Sequence, residues 1–325
     1  MVASRITVAL LASHLAIFST CSIADEPQDS GDTVRVLSWN ISGDAHTSQP
    51  QEFSALLRWA APDVVLLDEV YPSTSDAELL KSIDTLRPDV DDNWTIDIGV
   101  SGGRQRCVIA SRTPQEPLPE FSSIIPYPDA DRHYLLEHMS DAELDYRNYG
   151  LDGGIPVNGA IILDGEQRLL IIVTDLQCCG DDQNSWQEYR RRAEVRVIRE
   201  LIKKVLKRTS VDGVLIAGDL NLVNGPLPLI SLSKPYEAGR GGLLAAELYH
   251  PNGSESWTWD GRETPFPSGT LDFQLYDSTR ISMRSGYILD TEDMPAETLK
   301  KHGLQSGTAS ETGRHRPLLV EYVWR

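Results

Sequence analysis

Apolar and polar positions along the chain fall into short strand patterns separated by helical ones. Val34–Trp39 alternates into a buried strand, and Val64–Leu67 is a continuous apolar run of the kind covered on both faces. Gln51–Ala60 reads as a short helix ended by Ala61-Pro62, and Ala77–Leu86 as a second. Trp94–Val100 and Arg106–Ala110 predict strands joined through Ser101-Gly102-Gly103. Gly159–Leu163 and Arg168–Thr174 predict a hairpin around Asp164-Gly165. Gln183–Arg208 is the longest helical pattern, with Ala193, Val197, Leu201 and Val205 on one face. Its charges, including Arg190-Arg191-Arg192, read as a solvated face. Val211–Ala217, Thr270–Leu275, Ile281–Leu289 and Pro317–Trp324 supply later strands. The prolines at 114, 117, 119, 126 and 128 predict an irregular surface loop, and residues 130–149 a charged, helical stretch. No shift in composition divides the chain beyond residue 33, so the alternation implies one domain of mixed sheets covered by helices.

The ends of the chain and its charge change this picture in two ways. Residues 1–24 carry one charge, Arg5, in a mostly apolar run ending Ser22-Ile23-Ala24, which predicts a cleaved signal peptide. Ser13, His14, Ser19 and Thr20 weaken the run as a membrane span, and Thr20 disfavours a lipoprotein at Cys21. The expectation is a signal peptide over 1–24, a loose segment over 25–33, one domain over 34–325, and export to the periplasm or medium. With 30 Lys and Arg against 48 Asp and Glu, the net charge of −18 argues against broad phosphate neutralisation of long DNA. Four cysteines exclude a disulfide-dense scaffold, and none stands at zinc-finger spacing. The adjacent Cys178 and Cys179 could close only a strained bond.

Polar residues close the apolar strands repeatedly. Asn40 follows VRVLSW, Asp68-Glu69 follows VVLL, Asp175 follows LLIIVT, and Asp219-Leu220-Asn221 follows VLIAG. Asp272 lies in GTLDFQLY and His315 precedes PLLVEYV. Carboxylates at strand ends are how open α/β proteins build sites, although each alone is also an ordinary turn former. Glu69 is read as the acid facing the site, with Asp68 pointing the opposite way. His46, His133, His138, His250 and His302 lack ligand spacing and read as surface residues. Trp257-Thr258-Trp259 is read as a strand packing its rings on the core, or else as a stacking surface for a base or headgroup.

The pieces VRVLSWNIS, PDVVLLDEV, IASRTP, VDGVLIAGDLN, GTLDFQLY and RHRPLLVEY stand in one order over Val34–Tyr322. That ordered set resembles the endonuclease/exonuclease/phosphatase superfamily, which includes nucleases, inositol polyphosphate phosphatases and sphingomyelinases. The resemblance implies a four-layer α/β sandwich, two packed mixed β-sheets flanked by helices. It also implies hydrolysis of a phosphomonoester or phosphodiester by in-line attack of an activated water, with Mg²⁺ or Mn²⁺ as cofactor. Asn40 and Glu69 would be the hard oxygen ligands. Asp219 would orient or deprotonate the water, and Asn221 would hold a phosphate oxygen. Asp272 and His315 would form an Asp–His pair that fixes the imidazole and raises its pKa.

Two positions depart from the family pattern. Arg314 stands where many members carry an Asp before the final His, and Asp175 where many carry a His. Three readings follow: an Arg314–Asp175 salt bridge, Arg314 on the substrate phosphate, or decayed catalysis. Gly102-Gly103-Arg104 reads as a hairpin turn with Arg104 facing the substrate cleft, since a P-loop Lys-Ser/Thr is missing. Asp175, Arg314 and Arg104 are thus the candidate substrate contacts. A monomer acting on a small phosphoester is expected ahead of long DNA or a membrane-inserted enzyme. The competing reading is a catalytically impaired phosphate-ligand or protein-binding module on the same fold.

Overall fold

The computed structural model describes residues 33–83, 94–140, 151–180, 182–223, 225–237 and 240–325. The expected signal peptide, the 25–32 segment, the end of the second helical pattern and residues 141–149 lie outside these. Two six-stranded mixed sheets face one another. The first is built from β1 (Thr33–Gly43), β2 (Val64–Val70), β3 (Thr95–Ile98) and β4 (Arg106–Ser111), with the late strands β11 (Ile281–Ile288) and β12 (Leu318–Trp324). The second holds β5 (Gln115–Pro117), β6 (Val157–Asp164), β7 (Gln167–Thr174), β8 (Gly213–Asp219), β9 (Leu244–Ala245) and β10 (Asp272–Tyr276).

The two-sided apolar strand runs are explained by two kinds of cover. Val36, Val64, Leu66, Ile109, Ile171, Val173, Ala217 and Val320 fill the space between the sheets. The alternate residues Leu37, Trp39, Val65 and Leu67 face a helical layer led by Phe53, Leu56 and Leu57 of the helix Pro50–Ala60. Leu170, Ile172, Val214 and Ile216 face the second helical layer, led by Ile198, Ile202 and Val205 of the helix Trp186–Arg208. This gives four layers, as expected. Ser185 caps that long helix by accepting from Glu188 N at 3.2 Å, an interaction of about 1 kcal/mol.

Three expectations about surface character are corrected. The proline-rich stretch contributes β5 and buries Leu118, Phe121, Ile125 and Tyr127 in the core. The charges of the long helix are not all solvated: Arg190 and Arg191 are 4% and 1% exposed. Arg190 pairs with Glu194 at 2.9 Å and Arg191 with Glu188 at 2.9 Å, and each guanidinium brings its own counter-ion one turn away. His46 and His250 are likewise buried, whereas His133, His138 and His302 are exposed.

Strand direction places the site. β1 runs parallel to β2, and β12 runs antiparallel to β1. β7 runs parallel to β8, and β10 antiparallel to β8. The ends of β1, β2, β7 and β8 therefore meet the beginnings of β10 and β12 at one edge of the inter-sheet space.

Candidate active site

Period-two alternation carries Asn40, Asp68, Asp175 and Asp219 onto the inner faces of the sheets, in line with the inter-sheet residues of their strands. Glu69 breaks that alternation. Its φ is +52°, and the β1–β2 and β2–β4 registers both shift here, so two consecutive acids reach one pocket. Asp68 therefore does not point away as expected. It is 1% exposed, and its Oδ2 accepts from Asp219 N at 3.1 Å. Ser42 (φ +49°) and Asn221 (φ +49°) are also left-handed, so strained non-glycine residues stand at or just beyond the ends of β1, β2 and β8. Gly218, at φ +127°, has no alternative: a Cβ there would lie 2.0 Å from Thr174 O and 2.8 Å from Asp68 Oδ2.

Asn40 ties the pocket together. Its Nδ2 donates to Glu69 Oε1 at 3.1 Å and to Asp219 Oδ2 at 3.2 Å, while its Oδ1 accepts from Ser42 N. An amide's orientation follows its hydrogen bonds, so a cation on Glu69 would favour the oxygen turned inward. Asn221 N donates to Asp219 Oδ1 at 2.8 Å. The Asn221 amide also reaches Leu176 O at 2.9 Å and Asp175 Oδ1 at 3.4 Å.

His315 lies opposite, with Nδ1 donating to Asp272 Oδ2 at 3.0 Å and Nε2 3.8 Å from Asp219 Oδ2. Burial pulls its pKa down, but Asp272, Asp219 and Glu69 outweigh that and push it up to about 10. Asp219 is pushed up to about 8, first by burial and then by Asp272, against the pull of His315 and the Asn221 N–H. Asp68 and Asp175 are raised well above the ordinary carboxylate range, chiefly by burial, with neighbouring acids adding to it.

Two contributors were not legible beforehand. Asp68 is one. Thr258 is the other: its hydroxyl donates to Asp272 Oδ2 at 2.6 Å and accepts from Leu271 N and Asp272 N, both at 2.9 Å. In Trp257-Thr258-Trp259 the middle residue is the buried one, and the flanking rings are half-buried rather than packed as a core strand. The Thr-x-x signal for this role is absent from local sequence, because Thr258 and Asp272 meet only through a turn.

The chain around His315 is anchored twice. Trp39 Nε1 donates to His315 O at 3.1 Å. Arg316, 1% exposed, donates to Asp290 Oδ2 at 2.7 Å and Asp260 Oδ2 at 2.9 Å, and Arg262 also grips Asp260. Burial alone would raise Asp260, yet these guanidiniums hold its pKa down at about 2. The expected Arg314–Asp175 salt bridge does not form. Arg314 O accepts from Asp260 N at 2.8 Å, and the extended backbone then turns His315 inward and Arg314 outward. Arg314 Nη1 donates to Asp260 O at 3.1 Å and Arg262 O at 2.8 Å. Arg104 is exposed in the turn between β3 and β4.

The profile of the Endonuclease/Exonuclease/phosphatase family matches residues 37–293, from Leu37 of β1 to beyond Asp272. The chain belongs to that family. Solved structures with the same fold include a family member from Bacteroides vulgatus, 13% identical with a TM-score of 0.54, covering 90% of this chain and 99% of that one. Truncated TDP2 from Caenorhabditis elegans is 14% identical, TM-score 0.55, covering 90% and 97%. The human Nocturnin catalytic domain, solved with a bound sulfate anion, is 14% identical, TM-score 0.51, covering 90% and 95%. No curated protein matches. Enzymes of this family are metal-dependent phosphoesterases, and Asp219, Asp272 and His315 form one group of this chain close enough to share a cation. Among the described residues, no helix is long and apolar enough to cross a membrane.

Proposed function

We propose that the protein is an exported, divalent-metal-dependent hydrolase of phosphoester bonds, with a small phosphomonoester or phosphodiester as substrate. The observation that carries this reading is the inward-facing His315–Asp272 pair set 3.8 Å from Asp219, with Glu69 held by the same amide as Asp219. Glu69, with the Asn40 oxygen turned inward, would hold Mg²⁺ or Mn²⁺, whose chemistry is to neutralise the phosphate oxygens and lower the pKa of a bound water. Asp219, kept protonatable near neutrality, suits the removal of a proton from the attacking water. The Asn221 N–H fixes one oxygen of Asp219, leaving Oδ2 toward His315 and Asn40. His315, pushed up to about 10, would face the phosphate as an imidazolium through Nε2. Asp272 holds its tautomer from behind.

The acidic balance of the chain supports a small substrate over long DNA. We assign the substrate side to exposed Arg314, one residue from His315, to Arg104 on its turn, and to Asp175 within the pocket. The leader composition supports export, and a monomer is the assigned state. Hydrolysis by the full chain of phosphomonoester, phosphodiester and DNA substrates, with Mg²⁺ or with EDTA, tests the reading. Metal-dependent turnover abolished in Asp219→Asn supports it. A folded protein with no turnover on any of them would favour the binding-module reading, which Asp175 in place of an imidazole already motivates.

A further inference from the structure

Cys178 and Cys179 lie just beyond β7, in the segment that leaves Asp175. In an extended chain neighbouring side chains point to opposite faces, which holds two adjacent thiols apart. Here Cys179 is left-handed, with φ at +67°, and Gly180 follows at +80°. The turn brings both sulfurs to one side, and the Cys179 thiol donates to Cys178 Sγ at 2.9 Å. A disulfide bond is about 2.0 Å long, so closure by about 1 Å separates this pair from a covalent bond.

The segment is held in that shape from outside the pair. Arg191 Nη1 donates to Gln177 O and to Cys179 O, both at 2.7 Å. Gln177 N donates to Glu194 Oε2 at 2.9 Å, and Gln177 Nε2 donates to Cys178 O at 2.9 Å. On the pocket side the Asn221 amide holds Leu176 O. Arg191 and Glu194 are buried on the long helix, so the frame that presents the two thiols belongs to the core.

Access sets this pair apart from Cys107. Cys179 is exposed and Cys178 half-buried, whereas Cys107 is fully buried in β4. An oxidant in solution therefore meets Cys179 first and finds Cys178 beside it. Adjacent Cα atoms across a trans peptide are about 3.8 Å apart, short of the ~4.4–6.8 Å that a disulfide ordinarily spans. A bond between neighbours is strained and readily reduced, which is the property of a switching disulfide rather than a structural one.

We propose that Cys178 and Cys179 form a reversible dithiol–disulfide site, oxidised by exchange with a small disulfide of the glutathione class. The Cys179 thiolate attacks one sulfur of that disulfide, forming a mixed disulfide and releasing the other half as a thiolate. The Cys178 thiolate then attacks the Cys179 sulfur, closing the bond between the two cysteines and releasing the second half. The two thiol protons end on the two released thiols, and two electrons pass from the pair to the oxidant. The site stands on the sulfur geometry and its access, independently of the phosphoesterase reading.

The test exposes the reduced full chain to oxidised glutathione at neutral pH and follows its intact mass, the alkylation of remaining thiols and a peptide map. The expected product has lost two hydrogens per chain, carries no glutathione and has its bridge between residues 178 and 179. Excess reduced glutathione should reopen it. In Cys178→Ser the exchange should stop halfway, leaving one glutathione on Cys179, with the melting temperature showing that the variant is folded. A wild-type chain that keeps both thiols open to alkylation, or that stably carries glutathione, would overturn the proposal. So would a bridge to Cys107, to Cys21 or to a second chain, or a bond between residues 178 and 179 that reduced glutathione leaves closed.

Discussion

Two groups of buried acids flank His315, one around His315 itself and one around its neighbour Arg316, and the protein treats them in opposite ways. Around Asp260 and Asp290 the chain supplies counter-charges: Arg316 donates to both, Arg262 grips Asp260 and also reaches Glu292 at 2.6 Å, and Asp293 meets His250 at 2.6 Å. In the pocket beyond His315, Asp68 and Asp175 meet no Arg or Lys among the described residues, and each keeps an oxygen without a donor there. The pKa directions follow: Asp260 is held down at about 2, while Asp219 is pushed up to about 8. Burial is therefore not what distinguishes a structural acid from a functional one here. The difference is whether the chain itself supplies the counter-charge.

The largest effect that would sharpen this contrast is on turnover. Asp219→Asn should lower kcat by roughly 10²–10⁴-fold, the range for loss of a general base, without lowering the melting temperature of the metal-free protein. Equal turnover in wild type and variant would break the functional half of the comparison. Arg316→Leu should do the reverse. Leaving Asp260 and Asp290 buried without their cation should cost about 3–5 kcal/mol in urea unfolding. A loss below about 1 kcal/mol, the range of exposed pairs, would mean the network is not structural.

The pH dependence of stability should differ in sign between the two groups. Asp260 has a folded pKa below its unfolded value of about 4, so its contribution is present above pH 4 and is lost as pH falls toward 2. Asp219 has a folded pKa raised to about 8, so the native state holds a proton that the unfolded chain releases above about 4. Stability then declines as pH rises from about 4 to 8. His315, raised to about 10 from an unfolded value of about 6.5, continues the decline to about 10. Thermal melts in EDTA should therefore weaken steadily from pH 5 to 9, and saturating Mg²⁺ should flatten that slope. A metal-free protein that gained stability over this range would contradict the pocket's electrostatics. The smallest expected effect is at Thr258. Thr258→Val should reduce kcat about tenfold, about 1.4 kcal/mol for the loss of its hydrogen bond to Asp272, and Thr258→Ser should restore it.

Much of this site could be read from strand ends, and the reasons for the omissions are specific. Asn40, Glu69, Asp219, Asn221, Asp272 and His315 converge because parallel strands end, and antiparallel strands begin, at the same edge. Asp68 was misread because alternation assigns neighbouring residues to opposite faces, and the left-handed φ of Glu69 cancels that rule locally. Arg190 and Arg191 were misread because helical periodicity reports hydrophobicity and cannot register that Glu188, Glu194 and Tyr127 cover the guanidiniums. Arg314 was misplaced because its direction depends on backbone pairing with residue 260, 54 positions away in sequence.

The bond from Trp39 to His315 joins residues 276 positions apart, and β1 lies in its sheet between β2 and β12. That arrangement has a consequence in time. As the chain emerges from a ribosome, β1 is available early but lacks its neighbour β12, and the histidine follows only 276 positions after Trp39. A chain that stops short of His315 lacks the assembled pocket, and removing β1 or β12 dismantles it. Assembly of the site is thereby tied to the arrival of β12, which brings His315 to Trp39.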